Sequence, residues 1–569
     1  MHLKDTPNER HQPDNRNPEH VRNVQHLSMG CRMMIHKPTL EQDLASDKPT
    51  LVEFAAAFCC LVGFFAYKYL AQMLLGDSLV AVWVPFSVLA VCIVFPGLPS
   101  ASVSPALRIV CRVVAVMLGF YAYAATITYP SGVSAEADTV LAIARFIPLA
   151  AITAAVLTFL YPAFVIVPAT AVLAKKAIGA NLFEIRISHT DYLAVVEMGL
   201  LLGIACIVLA RGGRIRSAKP TQMLFRCNQQ VATVIVFMIG IAAHFSNYFF
   251  SGFQKIMLDG GPLFWVFQNP THVLSINAWL SGSFPFGPWQ ETAKLVIELA
   301  DQSHVLLNII ILLAQLAAVV FIARRVTMIG LTLFYDLTHI IIFLVSGIFF
   351  WKWIILNLAL VAAVHRLPKW VEKRSVVAVC IAVVLFAPAI FGIVRLGWYD
   401  TRALVISEAF AVTNSGEVIR VPSNYFGTIS ITAAQHRLGR YEKGHFPTVT
   451  WGSTQTVDDF EHAIDGCSFD IETRQHFRRT SEQISKTIRL THLYALQRET
   501  LAGRYNYDLF PHHVWSNPLL YRDFAAIAAH DIEHYIYRTR SGCTSLSDDG
   551  PLYEEHKSTE FIVPLPDGL

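Results

Sequence analysis

One apolar segment, residues 230–258, carries polar side chains that could perform acid–base chemistry. Four of them are spaced by four, three and four residues and so share one face of a helix: His244, Tyr248, Ser251 and Lys255. A charged residue in a membrane-spanning helix costs about 2.5–3.5 kcal/mol on insertion scales and usually faces the protein interior. A lysine buried in apolar surroundings is a usable neutral base. The alternative is that Lys255, near the helix end, extends its amine to the membrane surface.

A second group of polar side chains lies in another apolar segment and consists of Tyr335, Asp336, Thr338 and His339. Asp336 and His339 are three residues apart and can share a helix face. Because ionisable groups in a membrane tend to pair, we expect this group to meet His244 and Lys255 in one polar pocket. The alternative is a structural ion pair between helices. In the pocket His244, Asp336 and His339 would tune or relay protons. The residues expected to bind substrate or cofactor are Asn247, Tyr248, Ser251, Trp265 and Tyr335.

The C-terminal region offers a weak metal motif and a cysteine pair. His530, Glu533 and His534 match the H-x-x-E-H pattern of inverted zinc peptidases, whose histidines share a helix face. A polar helix rich in His, Asp and Glu produces this string by chance, so no metal is predicted. Cys467 and Cys543 are the only cysteines in the polar C-terminal region. They can form a disulfide if that region lies outside the cytoplasm.

The composition is that of a membrane protein. Of 569 residues, 54% are hydrophobic and 15% are charged, whereas about a quarter of a soluble domain is charged. The net charge of +3 gives no reason to expect nucleic acid as a partner. Stretches long enough to span a bilayer are 51–75, 78–97, 105–128, 138–160, 191–210, 230–258, 303–323, 326–350 and 376–397. With two shorter stretches, 161–174 and 351–365, we expect about nine to eleven transmembrane helices.

The distribution of lysine and arginine predicts the orientation, because these residues favour cytoplasmic loops. They concentrate after 191–210, at Arg324 and Arg325, and from Arg366 to Arg374. The loops 129–137 and 259–302 contain few of them and should lie outside. If both short stretches cross the membrane, the N-terminus is cytoplasmic and the C-terminus is not. Lys255 then lies at the outer end of its helix. Lys68 and Glu197, which occur singly, are expected to reach the surface or pair with loops.

The predicted organisation has three parts. Residues 1–50 are polar and are expected to be a disordered cytoplasmic segment. Residues 51–397 form the transmembrane domain, and residues 398–569 form an extracytoplasmic α+β domain. The chain is therefore expected to be a polytopic α-helical protein of the cell (inner) membrane. Its expected partners are membrane lipid and a peptide or protein substrate outside the cytoplasm.

Within the C-terminal region, segments near 404–412, 417–421 and 428–433 are rich in alternating or β-branched residues and predict strands. A basic helix is predicted over about 470–500, and a second helix over 519–538. The loop 259–302 is rich in tryptophan and phenylalanine, which is typical of a segment lying on the membrane surface. The alternative for this loop is a lid over a site.

Two runs of sequence resemble a known family. The run from Tyr248 to Lys255, YFFSGFQK, resembles vitamin K-dependent γ-carboxylases of the HTTM membrane superfamily. That family has aromatic, Phe, x, small, Gly, x, Lys, Lys, and Gln254 replaces the first lysine here. The run Asp336-Leu337-Thr338-His339, followed by Ser346-Gly347-Ile348-Phe349, is similar to the family's histidine-containing helix and the turn after it. The resemblance covers approximately residues 230–360.

This resemblance implies an enzyme in which Lys255 is the catalytic lysine. The family oxygenates a reduced quinone, generates a strong base, removes a γ-proton from a peptide glutamate and adds CO2. By carry-over, a reduced quinone of the vitamin K type is the expected cofactor. Whether this chain is an enzyme stays open at this point. The alternative is a non-enzymatic transporter, receptor or assembly protein whose polar stripe binds a solute or a headgroup.

Overall fold

The computed structural model describes residues 49–124, 130–183, 193–212, 227–428, 442, 444–447, 450–469, 480–502 and 514–565. Nearly all of the predicted N-terminal segment 1–50 lies outside these residues. From Leu51 to Phe386 the described residues are mostly helical. The helices are α1 (Leu51–Leu74), α2 (Ser78–Val94), α3 (Pro105–Ala124), α4 (Ala135–Ala144), α5 (Ile147–Leu157), α6 (Ile166–Phe183), α7 (Leu193–Gly212), α8 (Gln229–Ile256), α9 (Gly261–Gln268), α10 (Val273–Ser281), α11 (Gln290–Phe321), α12 (Arg325–Ser346), α13 (Trp351–Val364) and α14 (Arg374–Phe386).

In the described residues, eight helical segments are long and apolar enough to cross a membrane, with α4 and α5 counted together. Three further apolar helices are shorter: α2, α13, and α14 together with the turn that follows α14. This architecture indicates a multi-pass membrane protein and agrees with the predicted number of apolar segments. The predicted stretch 161–174 is the first part of a longer helix that ends with α6, and 351–365 is α13.

Helix α8 is the central helix of this assembly. The whole of its most apolar 18-residue window is buried, and it packs against α1, α3, α7, α9, α11 and α14. Small residues allow the close approach: a Cβ at Gly240 would meet Met198 Sδ at 2.7 Å, and one at Gly252 would meet Gln315 Cβ at 2.9 Å. The polar stripe of α8 therefore faces protein on all sides rather than lipid.

Capping interactions fix where α1 and α8 begin. The Glu53 carboxylate accepts a hydrogen bond from the Thr50 N–H at 2.8 Å, and the Thr50 side chain accepts one from Val52 N–H, which forms a capping box. Asn228 Oδ1 accepts from the first N–H groups of α8. The Asn228 N–H in turn donates to Glu53 Oε1 at 3.0 Å. One glutamate thus joins the starts of two neighbouring helices.

The other hydrogen bonds between loops group the helix ends into two sets. On the side where α1 and α8 begin, Arg325 Nε donates to Glu372 at 3.3 Å. On the opposite side, the contacts are Gln497 Nε2 to Ser131 O (3.1 Å) and Trp515 N–H to Gly347 O (2.9 Å). The last two contacts join the C-terminal region to the loops that follow α3 and α12.

The C-terminal region contains a small sheet with flanking helices. Its elements are β1 (Tyr399–Asp400), β2 (Ala403–Thr413), β3 (Val418–Val421), β4 (Ser453–Thr454), α15 (Val457–Ile464), α16 (Ser481–Ala502), α17 (Arg522–Ala526), β5 (Ile532–Ser547) and β6 (Gly550–Pro564). The strands β3-β2-β5-β6 form an antiparallel sheet in that order, and β1 pairs with β4. Cys467 and Cys543 are joined by a disulfide with Cα atoms 5.9 Å apart.

Three sequence predictions for this region have different outcomes. The strands predicted near 404–412 and 417–421 are β2 and β3. The basic helix is α16, while residues 470–479 and most of 428–433 lie outside the described residues. The helix predicted over 519–538 is wrong, because only α17 and two short helical turns precede the long strand β5. Tyr535 and Tyr537 are fully buried, so alternate residues of β5 pack into the core as a strand requires.

The segment 259–302 is not a single loop. It contains α9, α10 and the first turns of α11, so the predicted span at 303–323 begins earlier, at Gln290. The reason lies in the spacing of Ala293, Ile297 and Ala300, which are buried at helical intervals while the residues between them are polar or exposed. Four of the seven aromatic residues of this segment lie in α9 and α10, and α10 packs against β5 and β6.

Candidate functional site

Asn357 of α13 lies at the centre of a buried polar cluster. Its Oδ1 atom is 2.8 Å from His244 Nε2. Its Nδ2 atom donates to Asp336 Oδ1 at 2.7 Å and to the Tyr248 hydroxyl at 3.0 Å. His339 is beside them, with its Nδ1 atom 3.9 Å from Asp336 Oδ1. One asparagine therefore connects ionisable side chains of α8 and α12 in the interior of the helical region.

Aromatic rings form the walls of this cluster. The rings of Tyr248 and Tyr335 are stacked, with centroids 3.6 Å apart. The Trp353 ring lies 5.1 Å from His244, 5.3 Å from Tyr248 and 5.8 Å from His339. Flat aromatic faces and a few polar atoms in an apolar surrounding are the usual lining of a site for a planar ligand.

The hydrogen-bond network determines which atoms of the cluster remain available. Asp336 can only accept in its ionised form, so the amide nitrogen of Asn357 faces Asp336 and its oxygen faces His244. The neutral His244 ring then carries its hydrogen on Nε2. Within the described part of the chain, three buried atoms of the cluster have no hydrogen-bond partner: His244 Nδ1, Asp336 Oδ2 and His339 Nδ1. Buried polar atoms are usually paired, so a set of three requires an explanation.

Lys255 occupies a different environment at the end of α8. Its Nζ donates to Leu396 O at 2.6 Å, to Gln315 Oε1 at 3.1 Å and to Ser251 O at 3.2 Å. Nζ also lies 5.3 Å from the centre of the Trp265 ring. An ammonium group has three hydrogens, and three oxygen atoms accept them here. This arrangement fits a charged lysine that holds the segment after α14 against α8.

A polar network next to Lys255 continues into the C-terminal region. Asp400 accepts from Asn269 Nδ2 and from Trp398 Nε1, each at 3.0 Å. Its own N–H donates to Asn269 Oδ1 at 2.7 Å. Burial raises the pKa of Asp400 to about 6, although these hydrogen bonds and the positive charge of Lys255 oppose the rise. Asp400 is therefore a buried acid outside the spanning helices whose charge changes near neutral pH.

The structure divides the predicted single pocket into two sites. His244, Asp336 and His339 lie together, as the sequence predicts, but Lys255 has none of them among its contacts. Lys255 is seven residues beyond Tyr248, which corresponds to about 10 Å along a helix axis. The polar stripe on α8 extends beyond a single pocket, because two helical turns separate the Asn357 cluster from Lys255. Tyr335 belongs to the cluster, whereas Trp265 belongs to the Lys255 site.

Asn247 and Ser251, which were predicted to bind a ligand, make hydrogen bonds within the protein. Asn247 Oδ1 accepts from the Val394 N–H at 2.9 Å, and its Nδ2 donates to carbonyls of its own helix. The Ser251 hydroxyl donates to Asn247 O at 2.8 Å. Both side chains therefore help to position the segment after α14 and to satisfy the backbone of α8.

Lys68 and Glu197, expected to reach the surface or pair with loops, form an ion pair between α1 and α7 and also contact the segment after α14. Lys68 Nζ is 2.7 Å from Glu197 Oε1, and the Gly392 N–H donates to the same carboxylate. A cavity of about 10 Å³ borders Glu197, Asn247 and His244, which is room for about one water molecule. This pair is an interhelical contact close to the cluster.

The weak zinc motif does not have the geometry that it requires. His530 lies in a turn and His534 in β5, not on one helix face. His530 Nδ1 is 2.8 Å from Glu499 Oε2, and Glu533 lies 3.9 Å from His534. In the described residues, no group of three or more His, Cys, Asp or Glu side chains is placed to hold a metal ion.

Sequence reasoning missed the residues that connect the site. Asn357 is a lone amide in the apolar run WKWIILNLALVAAV, and Gln315 is likewise isolated in α11. A polar residue alone in an apolar helix was the available signal, since such a group needs a partner in the membrane interior. The contribution of Leu396 is a backbone carbonyl, for which the side-chain sequence carries no signal.

The chain was compared with protein-family models, with curated proteins and with solved structures, and none of the three comparisons gives a match. The resemblance to the γ-carboxylases therefore stays a prediction.

Proposed function

We propose that this chain is a multi-pass membrane enzyme that modifies an extracytoplasmic peptide or lipid, with a reduced quinone and CO2, as the γ-carboxylases do. The observation that carries the proposal is the buried cluster around Asn357. Its unpartnered atoms on His244, Asp336 and His339 are proton donors or acceptors, and they lie beside stacked aromatic rings. Burying several titratable groups in a membrane is expensive, which favours a functional role.

The polar atoms of the cluster have the chemistry to bind the hydroxyl groups of a reduced quinone. Asp336 Oδ2 is a buried acceptor, and His339 Nδ1, 3.9 Å from Asp336 Oδ1, is a second polar atom without a hydrogen bond among the described residues. Trp353 and Tyr248, whose rings meet edge to face with centroids 5.3 Å apart, would border it on one side. When bound, a reduced quinone supplies the reducing equivalents for reaction with oxygen. The role of Asp336 and His339 is to orient the ring and to hold or move its protons.

The proposed location is the cell (inner) membrane, with a cytoplasmic N-terminus and an extracytoplasmic C-terminal domain. Three observations support it. Eleven apolar helical segments, if all cross, place the two ends of the chain on opposite sides. The arginine-rich loops then fall on the cytoplasmic side. The disulfide between Cys467 and Cys543 is typical of an oxidising compartment.

Consumption of a reduced vitamin K-type quinone by the purified full chain, in the presence of oxygen and CO2, tests this proposal. We expect Asp336→Asn and His339→Gln to lower the rate at least about tenfold, since positioned acid–base groups contribute about 10²–10⁴-fold. Asp523→Asn, a charge removal at an exposed residue, is the matched control. Equal rates in all four proteins, with unchanged thermal unfolding, would count against the proposed site.

A second candidate function is a non-enzymatic transporter, receptor or assembly protein. The observation that favours it is the saturation of Lys255 by three oxygen acceptors, because such a lysine is a structural contact rather than a free base. Comparison of Lys255→Arg with Lys255→Met tests whether this lysine is a structural contact or a catalytic base. A structural lysine tolerates arginine, which keeps the charge, whereas a catalytic base loses turnover in both variants.

A further inference from the structure

A cleft of about 340 Å³ lies between helices α10 and α11 and strand β5. Its volume falls within the range of about 300–1,000 Å³ that is usual for small-molecule sites. None of the residues of the Asn357 cluster lines it, and neither does Lys255. The cleft is therefore a separate site, which the proposed reaction does not use.

The lining of this cleft combines an apolar floor with charges of both signs. The floor contains Val273, Ile276, Ile297 and Leu546. Arg402 lies on one side, where its Nε donates to Thr544 O at 2.8 Å. This hydrogen bond fixes the guanidinium group, while its terminal nitrogens have no partner among the described residues. The cleft thus holds a positioned cation beside apolar surface.

The acidic side of the cleft is formed by α11. Glu298 makes no ion pair or hydrogen bond in the described residues, and it lies one turn before Asp301 on the same face. Asp301 also lines the cleft, and its Oδ1 atom is 2.9 Å from Nδ1 of His272, another lining residue. Opposite charges on two walls of one cleft complement a ligand that carries both a positive and a negative group.

The sequence of α11 places this cleft at the edge of the apolar zone. No Asp, Glu, Lys or Arg occurs from 302 to 323, so Asp301 is the last acidic residue before the apolar run. Exposed leucines also occur before Asp301, closer to the start of the helix: Leu295 is 54% exposed and Leu299 is 56% exposed. The helix has 32 residues and a length of about 48 Å, whereas a bilayer core is about 30 Å thick. Glu298 and Asp301 therefore lie at the depth of lipid headgroups.

We propose that this cleft binds the headgroup of a phospholipid that carries a phosphate and a primary ammonium group, as in phosphatidylethanolamine. Arg402 binds the phosphate, because guanidinium groups match phosphate geometry. Glu298 and Asp301 accept hydrogen bonds from the ammonium, and the apolar floor contacts the first carbons of the acyl chains. The inference rests on the membrane orientation proposed above, but not on the proposed reaction.

The charges of the ligand make the proposal specific. A trimethylammonium group has no N–H to donate, so phosphatidylcholine should bind less well than phosphatidylethanolamine. Phosphatidylglycerol lacks the positive charge and would place its headgroup near two carboxylates without compensation. Soluble phosphoethanolamine has the same polar chemistry but no acyl carbons for the apolar floor.

The test is the thermal unfolding midpoint of the purified full chain in detergent, measured with each of these four additives. We expect phosphatidylethanolamine to raise the midpoint most, and phosphoethanolamine to raise it less. Arg402→Gln should remove most of the rise, and Glu298→Gln should remove the preference over phosphatidylcholine. The matched controls are Arg324→Gln, at the far end of α11, and Glu291→Gln, on α11 outside the cleft; both should respond as the unchanged protein does.

Three results would overturn the inference. One is an equal rise with all three lipids, since the cleft would then not recognise the ammonium group. Another is an unchanged response of the Arg402 and Glu298 variants. The third is a full response to soluble phosphoethanolamine with none to lipid, which would identify a soluble ligand as the source. None of these measurements requires the protein to consume quinone. Failure of the proposed reaction can therefore be distinguished from failure of this site.

Discussion

At the scale of single residues, Asn357 connects the side chains of the buried cluster. It is the one side chain that hydrogen-bonds His244, Tyr248 and Asp336 in the described structure. His244 and Asp336 make no direct hydrogen bond to each other among these contacts. The chemistry of the cluster therefore depends on an uncharged residue that sequence reasoning overlooked.

Substitution of Asn357 with leucine should destabilise the protein by about 1–3 kcal/mol, because His244 and Asp336 would each lose a buried hydrogen-bond partner. Thermal unfolding of the purified variant in detergent measures this effect. Leu358→Ala, at the neighbouring exposed position, is the control and should change the midpoint little. If both variants unfold like the unchanged protein, Asn357 does not carry the network.

Asp400 should make stability depend on pH. Its pKa rises from 3.8 to about 6 on folding, so the folded state binds the proton more tightly than the unfolded state between these values. The free energy of unfolding should therefore fall as the pH rises from about 4 to about 6, by up to about 3 kcal/mol from this group.

The variant Asp400→Asn should lose this part of the pH dependence, whereas Asp523→Asn, at an exposed site, should keep it. Denaturation of each protein across the same pH range provides the comparison. A difference between unchanged protein and Asp400→Asn that is constant with pH would contradict the assignment.

At the scale of elements, the turn that ends α12 depends on a glycine. Gly347 has φ +71°, and a Cβ there would collide with the carbonyl of Ser283. The turn also accepts a hydrogen bond from Trp515 N–H, so it joins the helical region to the C-terminal region. This position needs glycine for both its backbone conformation and its close approach.

Gly347→Ala should therefore lower the unfolding midpoint and loosen the contact with the C-terminal region. The matched change Gly330→Ala, in the interior of the same helix, meets open space and should be neutral or stabilising by up to about 1 kcal/mol. Limited proteolysis and thermal unfolding of the two variants distinguish them. Equal behaviour of the pair would show that the turn is not constrained as described.

The elements differ in how far the sequence predicts them. Helices such as α8 and α12 were predictable, because long apolar runs have little alternative structure in a membrane. Strand β5 was not, since the string HDIEH contains polar residues whose spacing also suits a helix. Its strand conformation comes from pairing with β2 and β6, which are distant in sequence. The approach of Asp336 to His244 was predicted, but the separation of Lys255 depends on Leu396 and Gln315, whose positions no local pattern shows.

At the scale of the whole molecule, the sheet region is attached to one set of helix ends, and the proposed topology places both outside the cytoplasm. Cells producing the full chain should then contain Cys467 and Cys543 as a disulfide. Alkylation of cell lysate followed by non-reducing and reducing electrophoresis should show a mobility difference, which the double variant Cys467→Ser, Cys543→Ser should lose. Free thiols at both positions would place this region in a reducing compartment.

The proposed function is quinone-dependent carboxylation by the buried cluster. The most direct measurement is the incorporation of labelled CO2 into protein in membranes that contain this chain, with reduced quinone and oxygen. We expect protein to acquire acid-stable label only when the quinone is present. The label should be retained in Gly330→Ala and lost in Asp336→Asn. No label in folded, unchanged protein, or label that persists in Asp336→Asn, would contradict it.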